Sequence, residues 1–191
     1  MSNQAVKQVS ARTIANPAPL GLLGFGLTTI LLNLHNAHII PLSAVILAMG
    51  VCIGGAAQII AGIMEFKAGN TFGATAFTAY GFFWLSLVAI WTNPFPGIVA
   101  ADLTSMGFYL LFWGVFSGGM FVATLKHGRA TQLVFLTLTV LFFLLSIADF
   151  TGSAAIKTVA GWDGILCAVA AIYTSCAQII NGEFGKTLLP L

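Results

Sequence analysis

Charged residues are scarce in this sequence, and their scarcity excludes a soluble globular domain. The 191 residues include seven Lys or Arg and five Asp or Glu, together 6% of the chain, whereas soluble domains carry about 25%. Hydrophobic residues make up 59% of the chain, and the mean hydropathy is +1.00. Because so few polar groups cannot cover a surface in water, the composition predicts an integral membrane protein surrounded by lipid.

Apolar runs long enough to cross a bilayer occur six times. A helix needs about twenty such residues to span the hydrocarbon core, and the sequence predicts spans at Pro17–Leu34, Leu42–Met64, Phe72–Trp91, Leu103–Leu125, Thr131–Asp149 and Val159–Ile180. The connections between the spans are short. We therefore expect an all-α fold with a cytoplasmic N-terminal tail over residues 1–15 and one six-helix transmembrane domain over residues 16–191.

Basic residues are distributed unevenly between the two ends of these spans. Lys157 alone lies on the side opposite the N-terminus, and the other six Lys and Arg lie on the N-terminal side: Lys7, Arg12, Lys67, Lys126, Arg129 and Lys186. The positive-inside rule then predicts that both termini are cytoplasmic, in a multi-pass protein of the cytoplasmic (inner) membrane. The net charge of +2 reflects this topology and does not indicate a nucleic-acid partner.

The sequence offers no constellation of residues for catalysis or metal binding. The five acids all fall at the ends of predicted spans, where solvation or helix capping is expected: Glu65, Asp102, Asp149, Asp163 and Glu183. His35 and His38 form a His-x-x-His with no third ligand nearby. A role as small, buried apolar residues is expected for the three cysteines, which lack CxxC spacing: Cys52, Cys167 and Cys176. We predict no enzyme activity, no metal site and no cofactor.

Short strings recur at matching positions of the second, fourth and sixth spans. Gly50–Gly55 resembles Gly114–Gly119, and Ala57–Gly62 resembles Ala177–Gly182. These matches place the even-numbered spans in register, which predicts three helical hairpins around a central pore. The Gly-x3-Gly pairs that the strings contain, at 50/54 and 114/118, are expected to let helices pack closely.

Neutral polar residues inside the spans are the candidates for contact with a solute. Gln58 and Gln178 occupy equivalent positions of the repeated strings, and an amide there can donate to a carboxylate without the desolvation cost of a fixed charge. Thr28 of the first span is a further candidate. The alternative for each is a hydrogen bond to a neighbouring helix.

The string that opens the first span, Asn16–Leu22 (NPAPLGL), also has a local physical meaning. Asn16 is a favoured helix N-cap, and proline is tolerated in a first turn because its missing N–H would lack a partner there. The free N–H groups around Leu20 lie at the positive end of the helix dipole, which attracts anions. We expect Asn16 and Leu20 to line the inner end of a solute pathway.

NPAPLGL is also a signature of the acetate uptake transporter family, the acetate/succinate permeases, which this chain resembles over nearly its whole length after about residue 15. The likeness rests on an ordered series of further strings: Asn33–Asn36, Glu65–Lys67, Gly69–Phe72, Tyr80–Trp84, Trp113–Phe116, Thr124–Lys126, Ala160–Trp162 and Glu183–Gly185.

The resemblance implies six spans per protomer, six protomers per assembly, a pathway through each protomer, and acetate or succinate as substrates. It also implies an apolar constriction formed by Phe25, Tyr80 and Leu138, and an influence of Ala171 on substrate size. Each constriction residue lies near the midpoint of its predicted span, and each comes from a different predicted hairpin. At Asp149 the family pattern favours an amide or a small residue, so no role is carried over to that position.

We therefore expect a permease or channel for acetate, and for succinate or other small monocarboxylates. Proton-coupled symport and a passive anion channel both stay open. Moving a bare carboxylate into a dry medium costs on the order of 20 kcal/mol in the idealised limit, and this cost favours passage of the neutral acid. The alternatives are a neutral-solute channel of the urea or amide type and a membrane protein without transport activity.

Overall fold

The structure, a computed structural model, describes residues 14–191. This part of the chain contains six helices that are long and apolar enough to cross a membrane: α1 (Ala18–Asn36), α2 (Ala44–Ala68), α3 (Thr71–Thr92), α4 (Leu103–Thr124), α5 (Arg129–Thr151) and α6 (Ala154–Phe184). The six predicted spans are confirmed. Of the predicted tail over residues 1–15, the first thirteen residues, with Lys7 and Arg12, lie outside the described residues.

Side-chain caps and left-handed glycines set the ends of several helices. Asn70 Oδ1 accepts from the Gly73 N–H (3.2 Å) at the start of α3, and Asp102 Oδ1 accepts from the Ser105 N–H (2.6 Å) at the start of α4. Ser153 caps α6. Glycines at positive φ follow the last residues of α2, α5 and α6: Gly69, Gly152 and Gly185.

The cap at Ser153 corrects one prediction. Because α6 begins at Ala154 instead of Val159, Asp163 does not lie at a span end. It lies about 13 Å into the helix at a rise of 1.5 Å per residue, and it is partly buried. The expectation of a solvated or capping acid is wrong at this position.

The cysteines also differ in part from expectation. Cys167 is fully buried, as predicted, and its Sγ lies 3.4 Å from the Val134 carbonyl oxygen. Cys52 and Cys176 are exposed on the outer faces of α2 and α6, so the prediction of burial is wrong for these two. An apolar run predicts a span but does not show which of its residues face inward.

A π-helical segment, Gly50–Ala57, interrupts α2. It contains the first Gly-x3-Gly pair, and its neighbours approach closely: a Cβ on Gly54 would lie 2.8 Å from the Trp84 ring and 2.9 Å from Thr28 Oγ1. In the second pair, a Cβ on Gly114 would lie 3.0 Å from the Phe143 ring, whereas one on Gly118 would meet nothing nearer than Thr139 at 3.7 Å. Close packing therefore applies to Gly54 much more than to Gly118.

The helices do not pack equally around the bundle. The closest backbone packing joins α1 to α6, α4 to α5, α5 to α6 and α2 to α3. The backbones of α3 and α4 stay farther apart, and these two helices meet through aromatic and polar side chains. An open apolar groove of about 240 Å³ lies between these two, lined by Ala79, Phe112, Trp113 and Phe116. The odd-numbered helices α1, α3 and α5 supply most of the side chains at the centre of the bundle, which is where three hairpins would place a pore.

Candidate functional site

Three cavities follow one another along the bundle and define a candidate solute pathway. The middle one, the constriction, has a volume of about 20 Å³, room for about one water molecule. Its walls come from α1, α2, α3 and α5: Leu22, Phe25, Gln58, Ala76, Phe77, Tyr80, Val134, Phe135 and Leu138. At this volume the pathway is closed to any larger solute.

The structure brings Phe25, Tyr80 and Leu138 to this one cavity. They come from α1, α3 and α5 and are 6%, 2% and 2% exposed. The ring centroids of Phe25 and Tyr80 lie 6.2 Å apart. Three side chains that the sequence separates by more than fifty residues at each step therefore meet at one depth.

The Tyr80 hydroxyl is already engaged by a neighbouring helix. It lies 2.7 Å from Ser117 Oγ on α4, and the ring is stacked on Phe142 with a centroid distance of 6.5 Å. Phe142 in turn packs edge-on against Phe83 at 5.1 Å. Tyr80 is thus held by α4 and α5, and it contributes mainly the face and edge of its ring to the constriction.

Gln58 is the polar residue of the constriction. It is 1% exposed, and its Oε1 has no hydrogen-bond partner within residues 14–191. Buried amides in folded proteins are normally paired, so an unpaired one at a cavity wall is suited to a passing solute. Its position in α2, directly after the π-helical segment, places it beside Phe25 and Tyr80.

The cavity at the start of α1, here called the near mouth, has a volume of about 170 Å³. It shares four lining residues with the constriction (Leu22, Ala76, Phe77 and Phe135), so the two cavities are adjacent. Its polar lining consists of Glu65, Asn70, His127, Thr131 and Gln178. The near mouth is therefore the wide, polar end of the pathway.

Asn16 and Gln178 meet at this mouth. Asn16 Nδ2 donates to Gln178 Oε1 over 3.2 Å, which ties the chain before α1 to the C-terminal half of α6. Ser175 Oγ adds a second tie, since it donates to the Pro19 carbonyl (2.6 Å). The two predicted pathway residues are brought together, and each is already a partner of the other.

The start of α1 offers less to an anion than the sequence indicated. Helix α1 begins at Ala18 after Pro17 instead of directly after Asn16. The Ala18 N–H donates to Asn16 Oδ1 (3.1 Å), and the Gly21 N–H donates to the Pro17 carbonyl (3.3 Å). Pro19 has no N–H, so only Leu20 keeps a free donor in this turn of the described chain. The expectation of several free N–H groups around Leu20 is therefore wrong.

Glu65 is buried at the near mouth, although the sequence placed it at a solvated span end. Only 2% of the residue is exposed. Its Oε2 accepts from Asn70 Nδ2 over 2.8 Å, while its Oε1 has no partner in the described part of the chain. The prediction of a solvated or capping carboxylate is wrong here, because Asn70 and the first turn of α3 fold back over the end of α2.

At the opposite end lies a cavity of about 70 Å³, here called the far mouth. Its polar residues are Asn36, Asp149 and Lys157, and Lys157 Nζ lies 4.0 Å from Asp149 Oδ1. Asp149 lies in the last turn of α5, near the predicted span end, but it is only 9% exposed, so the expectation of a solvated or capping acid is wrong there. The far mouth therefore offers a half-exposed cation next to a largely buried acid.

Three further predicted residues do not line these three cavities. Thr28 is fully buried and donates through Oγ1 to the Met49 carbonyl (3.3 Å), which makes it a contact between α1 and α2. Ala171 is fully buried within α6, and Leu20 is 44% exposed at the start of α1. Whether any of them touches a solute stays a prediction.

A comparison with known protein families matches residues 1–188 to the family described as GPR1/FUN34/yaaH. The chain belongs to the GPR1/FUN34/yaaH family. The match includes all six helices, both mouths and the constriction, so the whole pathway lies within the family domain.

Individual proteins are similar to this chain over most of its length. The succinate-acetate/proton symporter SatP of Escherichia coli (strain K12) is 55% identical over 179 residues, which cover 93% of this chain and 95% of SatP. Ammonia transport outward protein 2 of Saccharomyces cerevisiae is 41% identical over 190 residues, 95% of this chain and 67% of that protein. A solved structure of the bacterial acetate channel SatP matches with a TM-score of 0.91 and 55% identity, over 93% of this chain and 99% of that one.

Several residues of this GPR1/FUN34/yaaH pathway were missed by reasoning from sequence. Phe135 lines both the constriction and the near mouth, and Phe142 stacks on Tyr80. Both lie on the face of α5 that carries Leu138, at steps of three and four residues, so helical periodicity could have found them. No comparable signal marks the burial of Glu65, which depends on how α3 folds over α2.

Proposed function

We propose that this chain moves acetate, and other small carboxylates such as succinate, across the cytoplasmic membrane through the pathway between its helices. The observation that carries the proposal is the series of cavities, with a polar mouth at each end and an apolar constriction at Phe25, Tyr80 and Leu138. The similarity to a protein named a succinate-acetate/proton symporter and to a structure described as an acetate channel supports acetate as the solute.

The constriction controls passage through its apolar lining. A bare carboxylate loses its hydration there, and the effective cost for an ion in a protein interior is still several kcal/mol after relaxation. Gln58 lines the cavity, and it offsets part of this cost when its Nε2 donates to a carboxylate oxygen. The aromatic and leucine side chains select for small solutes, since a larger one needs all three walls to move.

The proposal extends to assembly and orientation. We propose a homohexamer with one pathway per protomer and both termini in the cytoplasm, so that the near mouth opens inward. The exposed apolar side chains of α4 suit contact with lipid or with a neighbouring protomer: Phe108, Phe112, Val115 and Val122. The proposed activity is transport alone, without catalysis.

Ammonia export is a second candidate, which the name of one relative favours. A neutral, small solute would cross an apolar constriction without the desolvation cost of an ion. The near-mouth carboxyl and amides nevertheless form a more elaborate polar site than ammonia would need, so acetate is preferred.

The test is flux into proteoliposomes that contain the purified full-length protein. Radiolabelled acetate should enter faster than into empty liposomes, and succinate should compete. Equal flux in both preparations would exclude acetate transport, whereas ammonia or urea flux without acetate flux would favour a neutral-solute channel. Measuring the acetate current against voltage at a fixed pH gradient separates the two forms of acetate transport. The current through a channel reverses at the acetate equilibrium potential, whereas the reversal potential of a symporter follows the proton gradient.

A further inference from the structure

The carboxyl group of Glu65 lies in the wall of the near mouth with only one of its two oxygens hydrogen-bonded within the described chain. One oxygen, Oε2, accepts from Asn70 Nδ2 over 2.8 Å. The other, Oε1, is buried without a partner among residues 14–191, although the residue lines the cavity. A buried ionised carboxylate with an unsatisfied oxygen is costly unless it is paired or takes up a proton.

The surrounding backbone is shaped around this carboxyl group. Gly73 has no side chain, and a Cβ there would lie 2.7 Å from Glu65 Cδ and 2.7 Å from Asn70 Nδ2. Asn70 uses its other atom, Oδ1, to cap α3 through the Gly73 N–H. The start of α3 therefore fixes the position of Asn70, which donates to Glu65 Oε2, and leaves Glu65 Oε1 without a partner among the described residues.

No described cation pairs with Glu65. The one salt bridge within the described chain joins Lys157 to Asp149 at the far mouth. Around the near mouth, α1 contributes no titratable group, α6 contributes the neutral Gln178, and the α4–α5 connection contributes His127, whose ring lies edge-on to Phe72 at 4.6 Å. The other charged side chains at this end of the described chain are exposed: Lys67 on α2 itself, Lys126 before α5, Arg129 at its start, Glu183 on α6 and Lys186 just beyond it.

We propose that Glu65 binds the carboxylate of the substrate through one shared proton, so that the near mouth takes up one proton with each acetate. The inference rests on the proposed transport of acetate. Two carboxylates at hydrogen-bond distance cannot both stay ionised, since each strongly disfavours the charge of the other. An acetate ion beside Oε1 therefore requires a proton between the two oxygens.

The proton balance is simple. Water at the near mouth supplies one proton to Glu65 Oε1, and the protonated carboxyl donates to an oxygen of the acetate ion. If acetate moves on to the constriction as the neutral acid, it takes that proton, and Glu65 remains as a carboxylate bonded to Asn70. The next proton from water protonates Glu65 Oε1 again. One proton therefore accompanies each acetate, and no other bond changes.

The experiment is acetate binding to the full-length protein in detergent, measured by calorimetry at pH 7 in two buffers of different ionisation enthalpy. The wild type should take up about one proton per acetate. Glu65→Gln should still bind acetate but take up none, because the Gln amide accepts from Asn70 with its oxygen and donates to acetate with its nitrogen. An unchanged proton uptake in Glu65→Gln would overturn the inference.

Two variants and one further measurement control this experiment. Glu183→Gln makes the same change on an exposed carboxyl at the same end of the bundle and should behave as the wild type. His127→Asn tests the other titratable side chain that lines the near mouth: a loss of proton uptake in this variant would assign the proton to His127 and overturn the inference. In the wild type alone, acetate affinity should weaken as the pH rises above the range in which Glu65 becomes ionised. The expected slope is about tenfold per pH unit, which is the limit for the uptake of one proton. A pH-independent affinity would overturn the inference even if Glu65→Gln failed to fold.

Failure of the proposed function gives a different result. If the wild type neither binds nor transports acetate, both proposals fall. If it transports acetate and the Glu65→Gln variant shows the same proton uptake as the wild type, transport stands and the role of Glu65 falls.

Discussion

The Tyr80 hydroxyl lies 2.7 Å from Ser117 Oγ and joins α3 to α4, two helices whose backbones make few close approaches. Both residues are buried, at 2% and 0% exposure. The bond fixes a constriction residue from outside the pathway. An aromatic ring at the narrowest point thereby depends on a helix that lines neither the constriction nor the near mouth.

Ser117→Ala should destabilise the protein by about 1 kcal/mol, because it leaves the buried Tyr80 hydroxyl without its partner. Tyr80→Phe should cost less, since Ser117 can bond a carbonyl of its own helix. The double variant should be less destabilised than the sum of the two single variants. Chemical unfolding in detergent measures all four proteins of the cycle, and additive effects would mean that the two hydroxyls do not interact.

Leu138→Val should widen the constriction and raise the flux of larger carboxylates relative to acetate. The matched control is Leu136→Val on the same helix, because Leu136 is 44% exposed and lines none of the three cavities. Competition of a series of carboxylates with radiolabelled acetate in proteoliposomes gives the ratio. If both variants keep the wild-type order of competition, Leu138 does not set the size limit.

Gln58→Leu should reduce acetate flux by about tenfold or more, because a hydrogen bond to a charged group contributes about 1.5–3 kcal/mol and each 1.4 kcal/mol is about a tenfold change. Stability should not fall, because Gln58 Oε1 has no partner to lose among the described residues. Gln132→Leu, an amide outside the three cavities that donates to the His127 carbonyl, is the control and should keep its flux. Normal acetate flux together with lowered stability in Gln58→Leu would assign Gln58 a structural role instead.

Gly54→Ala should destabilise the protein by about 1–3 kcal/mol, the usual cost of overpacking. The added methyl group would lie 2.8 Å from the Trp84 ring, with no room to move. Gly118→Ala occupies the equivalent place of the second Gly-x3-Gly pair but meets Thr139 at an ordinary 3.7 Å, so its stability should be near that of the wild type. Equal losses in the two variants would show that the π-helical segment around Gly54 is looser than its contacts indicate.

The sequence was sufficient for the number of spans and for the depth of Phe25, Tyr80 and Leu138, because hydropathy and span midpoints depend on neighbours along the chain. It could not give the environment of a side chain that distant segments enclose. Glu65 is covered by Asn70 and by the first turn of α3, and Asp163 lies within α6 because Ser153 starts that helix early. The π-helical segment of α2 likewise has no pattern in the sequence that distinguishes it from ordinary helix.

The central claim is that acetate passes through the constriction, and acetate flux through a blocked constriction tests it most directly. Leu138→Trp places a large ring in a cavity of about 20 Å³, while Leu136→Trp places the same ring on the outer face of α5. With both variants folded in proteoliposomes, acetate flux should fall to that of empty liposomes for Leu138→Trp and stay near the wild-type value for Leu136→Trp. Wild-type flux through Leu138→Trp would contradict the account.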